Sequence, residues 1–159
     1  MAEEFSHIRK DGSVAMVDVG RKQESVRVAV AGAVVEMSAA TLDLLKRAAL
    51  PKGDVLTTAK IAGIMAAKRT SELIPMCHPV ALDYVDIRFE IHDAPPLVRL
   101  EAETRSTGRT GVEMEAIIAA QVAAAAIYDM CKAAQKDIRI TNVRLLRKSG
   151  GRSGEYRAP

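Results

Sequence analysis

The chain contains no tryptophan, two phenylalanines and three tyrosines among 159 residues. A core without large aromatic rings has to be built from Val, Ile, Leu, Met and Ala. Such a core is thin for one subunit, and burial against further copies would help it. The shortage of rings also removes the stacking platform on which single-stranded nucleic acids are held. Cysteine is equally scarce. Cys77 and Cys131 make no disulfide framework, and reduced thiols in a cytoplasmic protein are expected. Neither charge sign dominates: the net charge is +3 and the pI is near 9.0. That balance suits an anionic ligand without calling for nucleic acid. The basic residues fall in short groups, such as Lys68–Arg69 and Lys148–Arg152, rather than in one tract. No apolar run reads as a membrane span, because Gln121 and Asp129 interrupt the longest. Glu3 and Glu4 open the chain where a basic-then-apolar leader would be needed.

What is present is an ordinary globular composition, 48% apolar and 27% charged, of a length that suggests one domain. Its most distinctive stretch is Gly108 to Lys136, GRTGVEMEAIIAAQVAAAAIYDMCKAAQK. Ala, Met, Ile and Gln favour a helix of about twenty residues. Thr110 or Gly111 is placed to cap it, with Glu113 and Glu115 in the first turns and Lys132 and Lys136 near the end, as the helix dipole prefers. Ile118, Val122 and Ala125 share a face, which extends back to Glu115 and forward to Asp129 and Lys132. The three-residue spacing makes Asp129 and Lys132 surface neighbours. They are either a simple ion pair at a helix end or a carboxylate and an amine held against a low-dielectric core, able to exchange protons. Glu115 and Asp129 lie roughly 21 Å apart along a straight helix. Either they serve different sites, or a two-fold partner brings its opposite end alongside.

The chain divides into an N-terminal arm (1–24), a domain (25–147) and a glycine-rich basic tail (148–159). In the arm, Asp11-Gly12 marks a turn. Arg21 to Ser25 reads as solvated and mobile, or as a basic flap over an anion. Ser25 to Met37 alternates as a strand with a bend at Gly32. Ser38 caps a helix to about Ala49, with Leu42, Leu45 and Leu50 inward. Asp54 or Thr57 caps the next helix, which runs to about Ser71. Ile61, Ile64, Met65 and Lys68 share one of its faces, and Gly63 permits close approach by another element. Lys52 sits in the tight turn just before it.

In Leu73-Ile74-Pro75-Met76-Cys77-His78-Pro79, two prolines hold a Cys-His pair. His78 is then a structural histidine or a rigidly placed proton-transfer or substrate contact. Adjacent Cys77 and His78 form no spaced ligand set, so no metal site is expected. Two further strands, Leu82–Ile91 and Leu97–Arg105, make an antiparallel hairpin with a larger loop at His92–Pro96. A last strand, Asp137–Leu146, loses its alternation near Thr141-Asn142, as at a bulge. The order strand, two helices, strand, strand, helix, strand is an α+β, ferredoxin-like pattern. Its antiparallel sheet is covered by helices on one face, with an extra helix in the first crossover. The tail from Lys148 to Glu155 can wrap phosphate oxygens or remain disordered, and lacks the spacing of a P-loop.

Six strings, MVDVG (16–20), KGD (52–54), AGIMAAKRTSELIPMCHP (62–79), TGRTGVEMEA (107–116), IYDMCKA (127–133) and VRLLRKSGGRSGE (143–155), together closely resemble the MoaC-type cyclic pyranopterin monophosphate synthases of molybdenum cofactor biosynthesis. The resemblance implies a lyase that converts (8S)-3',8-cyclo-7,8-dihydroguanosine 5'-triphosphate to cyclic pyranopterin monophosphate and releases pyrophosphate. It implies no required cofactor, with Mg²⁺ admissible alongside the substrate phosphates. It also implies a homohexamer, a trimer of dimers with inter-subunit sites. Carried onto the matching strings, Lys52, Lys132 and Asp129 take the catalytic positions. His78 and Cys77 of CHP and Glu113, Met114 and Glu115 of GVEME take substrate-binding ones. Lys22, Arg27, Lys68, Arg109 and Lys148 are the cations for the triphosphate. Arg109 stands where lysine is common in relatives, which keeps charge but changes geometry. Gln121 to Ala126, QVAAAA, departs from the family's SVAALT-type stretch. The alternative is a nucleotide-binding or regulatory oligomeric module of the same fold, without turnover.

Overall fold

The computed structural model describes residues 11–152 and 154–159. Residues 1–10 of the arm lie outside the described residues. The central strand is β1 (Ser25–Glu36), followed by α1 (Ala39–Lys46), α2 (Val55–Ala67) and a single turn, α3 (Thr70–Leu73). The hairpin β2 (Tyr84–Asp93) and β3 (Pro96–Gly108) leads to the long helix α4 (Glu113–Cys131), then to β4 (Arg139–Ser149) and the short β5 (Tyr156–Arg157). The strands form one sheet in the order β2-β3-β1-β4-β5, antiparallel throughout. Both crossovers are therefore split: β3 lies between β1 and β2, and β1 between β3 and β4. This is the expected ferredoxin-like α+β arrangement, with α1 as the added helix.

Local chemistry explains the boundaries. The Ser38 hydroxyl accepts from Thr41 N at 3.2 Å and starts α1. Asp54 Oδ1 accepts from Thr57 N at 3.0 Å and starts α2. Asn142 adopts a φ of +52°, and pairing with β1 shifts there. A second shift near Leu146 was not foreseen. The hairpin loop is shorter than expected. Asp93 still pairs with Pro96, so Ala94 and Pro95 make the whole turn, joined by a cis bond.

The core is alanine against alanine. Ala29, Ala31 and Ala33 of β1 and Ala116, Ala119, Ala120, Ala123 and Ala124 of α4 are all essentially inaccessible. Small side chains let helix and sheet approach closely, so contacts between backbones replace bulky packing. Gly63 continues this on the outer side. A Cβ there would lie 2.2 Å from Ile87 Cδ1 and 2.8 Å from the Ala119 carbonyl.

Two expected helix faces are corrected by this packing. α2 buries Val55, Ala59, Gly63, Ala66 and Ala67 and leaves Ile61 and Met65 exposed. On α4 the inward face is the alanine row with Ile127, Met130 and Cys131, whereas Gln121, Ala125 and Asp129 face out. α4 starts after Val112 without a side-chain cap, not at Thr110 or Gly111. By length and composition this helix would suffice to cross a bilayer, at a mean hydropathy of 1.4. Its apolar surface instead packs on the sheet and α2.

Candidate active site

All the sequence-derived residues but Lys68 gather at the two ends of α4. At the C-terminal end, Asp129 is held by two lysines. Lys132 Nζ approaches Asp129 Oδ1 at 2.6 Å, one helical turn away. Lys52, from the turn before α2, reaches Asp129 Oδ2 at 2.5 Å and its backbone carbonyl at 3.1 Å. Gly53, with a φ of +86°, lets that turn double back. The lysines' hydrogen bonds, Lys132's first and Lys52's second, hold the Asp129 carboxyl down to about 2. The same partner raises the Lys132 ammonium. All three side chains remain about half exposed. Of the two readings of this pair, the one with a low-dielectric core around it is therefore not met within one subunit. Contact with the two lysines, not burial, sets the carboxyl's affinity for protons.

At the N-terminal end lie two adjoining cavities. The smaller, about 280 Å³, is lined by Cys77, His78, Met114, Glu113, Glu115, Lys22, Val17 and Val19 among others. His78 Nε2 is 2.7 Å from the Val17 carbonyl. A carbonyl can only accept, so Nε2 carries the hydrogen and Nδ1 is left with the lone pair in the neutral ring. Glu115 is 4% exposed. Burial first, and the neighbouring Glu113 charge second, push its carboxyl upward. Burial and Glu115 together push the Cys77 thiol up, which makes it a poor nucleophile.

The larger cavity, about 810 Å³, is bounded by three chain segments: 21–28, 109–113 and 148–152. Six of its lining residues are cationic: Arg21, Lys22, Arg27, Arg109, Lys148 and Arg152. Lys148 Nζ pairs with Glu113 Oε1 at 2.9 Å, and Arg109 with Glu24 at 3.6 Å. Lys22, Thr110, Gly111 and Glu113 line both cavities, so the two form one continuous depression. Glu113 folds back over Gly111, where a Cβ would sit 1.9 Å from Oε2. β5 pairs with β4 at Arg147 and Lys148, so the tail returns beside this depression.

Of the expected residues, His78, Cys77, Glu113, Met114, Glu115, Lys22, Arg27, Arg109 and Lys148 thus come together. Lys52, Asp129 and Lys132 form a separate cluster. Lys68 follows the last residue of α2 and lines neither cavity. Among the described residues no group of three or more His, Cys, Asp or Glu could hold a metal ion. Two contributions were not read from the chain. The Val17 carbonyl that fixes His78 is a backbone atom and leaves no side-chain signal. The direct contact of Lys52 with Asp129 joins positions 77 residues apart, beyond any periodicity.

Residues 16–151 match the model of the MoaC family, which spans both clusters. The chain is 71% identical over 154 residues to a cyclic pyranopterin monophosphate synthase of Nitratidesulfovibrio vulgaris, covering 97% of this chain and 96% of that one. It is 66% identical over 159 residues to the enzyme of the same name from Desulfovibrio desulfuricans, covering 100% of this chain and 98% of the relative. To that of Oleidesulfovibrio alaskensis it is 63% identical, with 99% of each covered. With a family model matched over most of its length and relatives this similar along their whole chains, the chain belongs to the MoaC family.

Proposed function

We propose that the chain is a lyase that rearranges a cyclised GTP triphosphate to cyclic pyranopterin monophosphate with release of pyrophosphate. The observation that carries this reading is the Asp129 carboxylate clamped between Lys52 and Lys132. A carboxyl held at about 2 stays ionised at neutral pH and is a weak base. Its part is to orient two ammonium groups and to hold the Lys132 one protonated. Lys132 and Lys52 then stabilise negative charge as it develops on the opening ring and donate protons to it.

The triphosphate needs cations and backbone N–H groups. Lys22, Arg109 and Lys148 around the larger cavity supply the charge, with Arg21 and Arg152 beside them. The guanine-derived ring fits the smaller cavity, between His78, Cys77, Met114 and Glu115. There His78 Nδ1 accepts a proton while Nε2 stays on Val17. The Glu115 carboxyl, raised by burial, is a hydrogen-bonding partner for ring nitrogen or oxygen.

The two clusters stand roughly 21 Å apart along α4, too far for one substrate. A second copy related by a two-fold axis across the middle of α4 would set the lysines of one subunit against the cavity of the other. The site is then shared, in keeping with a homo-oligomer built from such pairs. Incubation with the cyclised GTP triphosphate tests the reading. Equal appearance of pterin product and pyrophosphate supports it. Binding without either product points to a non-catalytic nucleotide-binding module instead.

A further inference from the structure

Arg27 lines the basic cavity, and as a cation it invites the role of a phosphate ligand. Its surroundings indicate a different one. It projects from the start of β1, and its Nε donates to the Gly108 carbonyl at 3.4 Å, at the entrance of the 108–111 loop. On its other side lies the turn after β4. Gly150 and Gly151 there have φ values of +98° and +75°, which disfavour a side chain. A Cβ on Gly151 would fall 1.6 Å from Arg27 Nη1 and 2.6 Å from Cζ. A Cβ on Gly150 would fall 2.1 Å from the Val26 carbonyl and 3.3 Å from Arg27 Cδ. The guanidinium therefore occupies the volume that any side chain at Gly151 would need. It touches two glycine segments that carry three of the cavity's other cations, Arg109 on one and Lys148 and Arg152 flanking the other.

We infer that Arg27 is a positioning residue, a planar wedge that sets the separation of the 108–111 loop and the 149–152 turn and thereby places Arg109 and Lys148 for a polyphosphate. Charge alone does not reproduce such a wedge. Lysine keeps the cation but has neither an Nε to reach Gly108 nor a flat group to lie against Gly151. Gly151 is the other half of the device, because its missing side chain makes room for the guanidinium. This inference rests on the reading of the cavity as the polyphosphate end of the site.

The test is affinity for inorganic triphosphate, measured by calorimetry on the full chain, with turnover of the cyclised GTP triphosphate in parallel. Arg27→Lys is expected to weaken binding roughly 10- to 100-fold and to raise KM with kcat less affected. Gly151→Ala, which removes no charge, is expected to do the same. Arg27→Ala combined with Gly151→Ala is expected to be worse than Arg27→Ala alone only by the backbone strain at a φ of +75°, and so to fall short of the product of the two single effects. Wild-type affinity in Arg27→Lys, or simple multiplication of the two single effects, would overturn the wedge and leave Arg27 as a charge. If a variant at 151 fails to fold, the lysine variant decides alone. Failure of the wild-type chain to form pterin would defeat the functional reading while leaving the triphosphate comparison intact.

Discussion

Lys52 Nζ and Asp129 Oδ2 meet at 2.5 Å, joining the turn before α2 to the last turn of α4. Lys132 closes on the same carboxylate at 2.6 Å. Replacing either lysine by alanine is therefore expected to abolish most turnover while the fold survives. A fall in kcat of about a hundredfold or more, with Tm little changed because the groups are half exposed, would be seen by pyrophosphate release and thermal melting. Wild-type-like rates in both variants would remove the lysines from the chemistry.

If each site is shared, two dead variants should repair one another. A Lys52→Ala subunit paired with a His78→Ala subunit has one site carrying both lesions and one carrying neither. Mixing the two after dissociation and reassembly should restore activity that neither shows alone. Persistently inactive mixtures, with exchange of subunits demonstrated by mass, would place both residues in the site of a single chain.

Acid titration follows from the same carboxylate. The folded Asp129 carboxyl lies at about 2 against an ordinary 3.8, so the folded state binds its proton less readily than the unfolded state. Its stabilising contribution is present above about pH 4 and disappears as pH falls towards 2. Tm followed from pH 5 to about 2 should drop less steeply in Asp129→Asn than in the wild type. Parallel curves would show that the lysine contacts are too solvated to matter for stability.

On the opposite face of the sheet, Glu103 is 3% exposed and receives Arg88 at 3.2 Å, Arg105 at 2.6 Å and Arg147 at 3.4 Å. Burial works against its charge, but hydrogen bonds from Arg105 and Arg88 prevail, and its carboxyl is lowered. Glu103→Gln would take a carboxylate from three guanidinium groups, of which Arg88 keeps Glu101 at 3.7 Å. The partners are about half exposed, so a loss of roughly 1–3 kcal/mol is expected, read from urea unfolding midpoints. No change would mean that solvent replaces the carboxylate fully.

Gly63→Ala sets two effects in competition. Helix propensity favours alanine by about 1 kcal/mol, but the new methyl would meet Ile87 Cδ1 at 2.2 Å and a backbone oxygen at 2.8 Å. Overpacking of this kind costs about 1–3 kcal/mol. The oxygen cannot turn aside, so a lower Tm is expected, and a higher one would show that α2 can shift outward.

Strand alternation made β1, β2 and β3 legible in the chain, and Ser38 and Asp54 announced their helices by side-chain chemistry. The bulge at Asn142 was visible as a loss of phase. The inward face of α4 was not, because alanine at 123–126 occupies every direction and leaves no contrast for a period to reveal. The burial of Glu103 was not legible either, since charge patterning does not show that three arginines fold over one carboxylate. Family strings identified members of both clusters. Their separation to opposite ends of α4 required the helix to be placed.

The alanine seam between β1 and α4 has a last consequence. Alanine has no rotamers with which to absorb a displacement, so the helix behaves as a ruler with two marked ends. Inserting one residue near Ala124 would turn everything beyond it by about 100°, swinging the acid that steadies both ammonium groups away from Lys52. Variation in length along α4 is thereby closed to this fold, however freely its outward side chains may change.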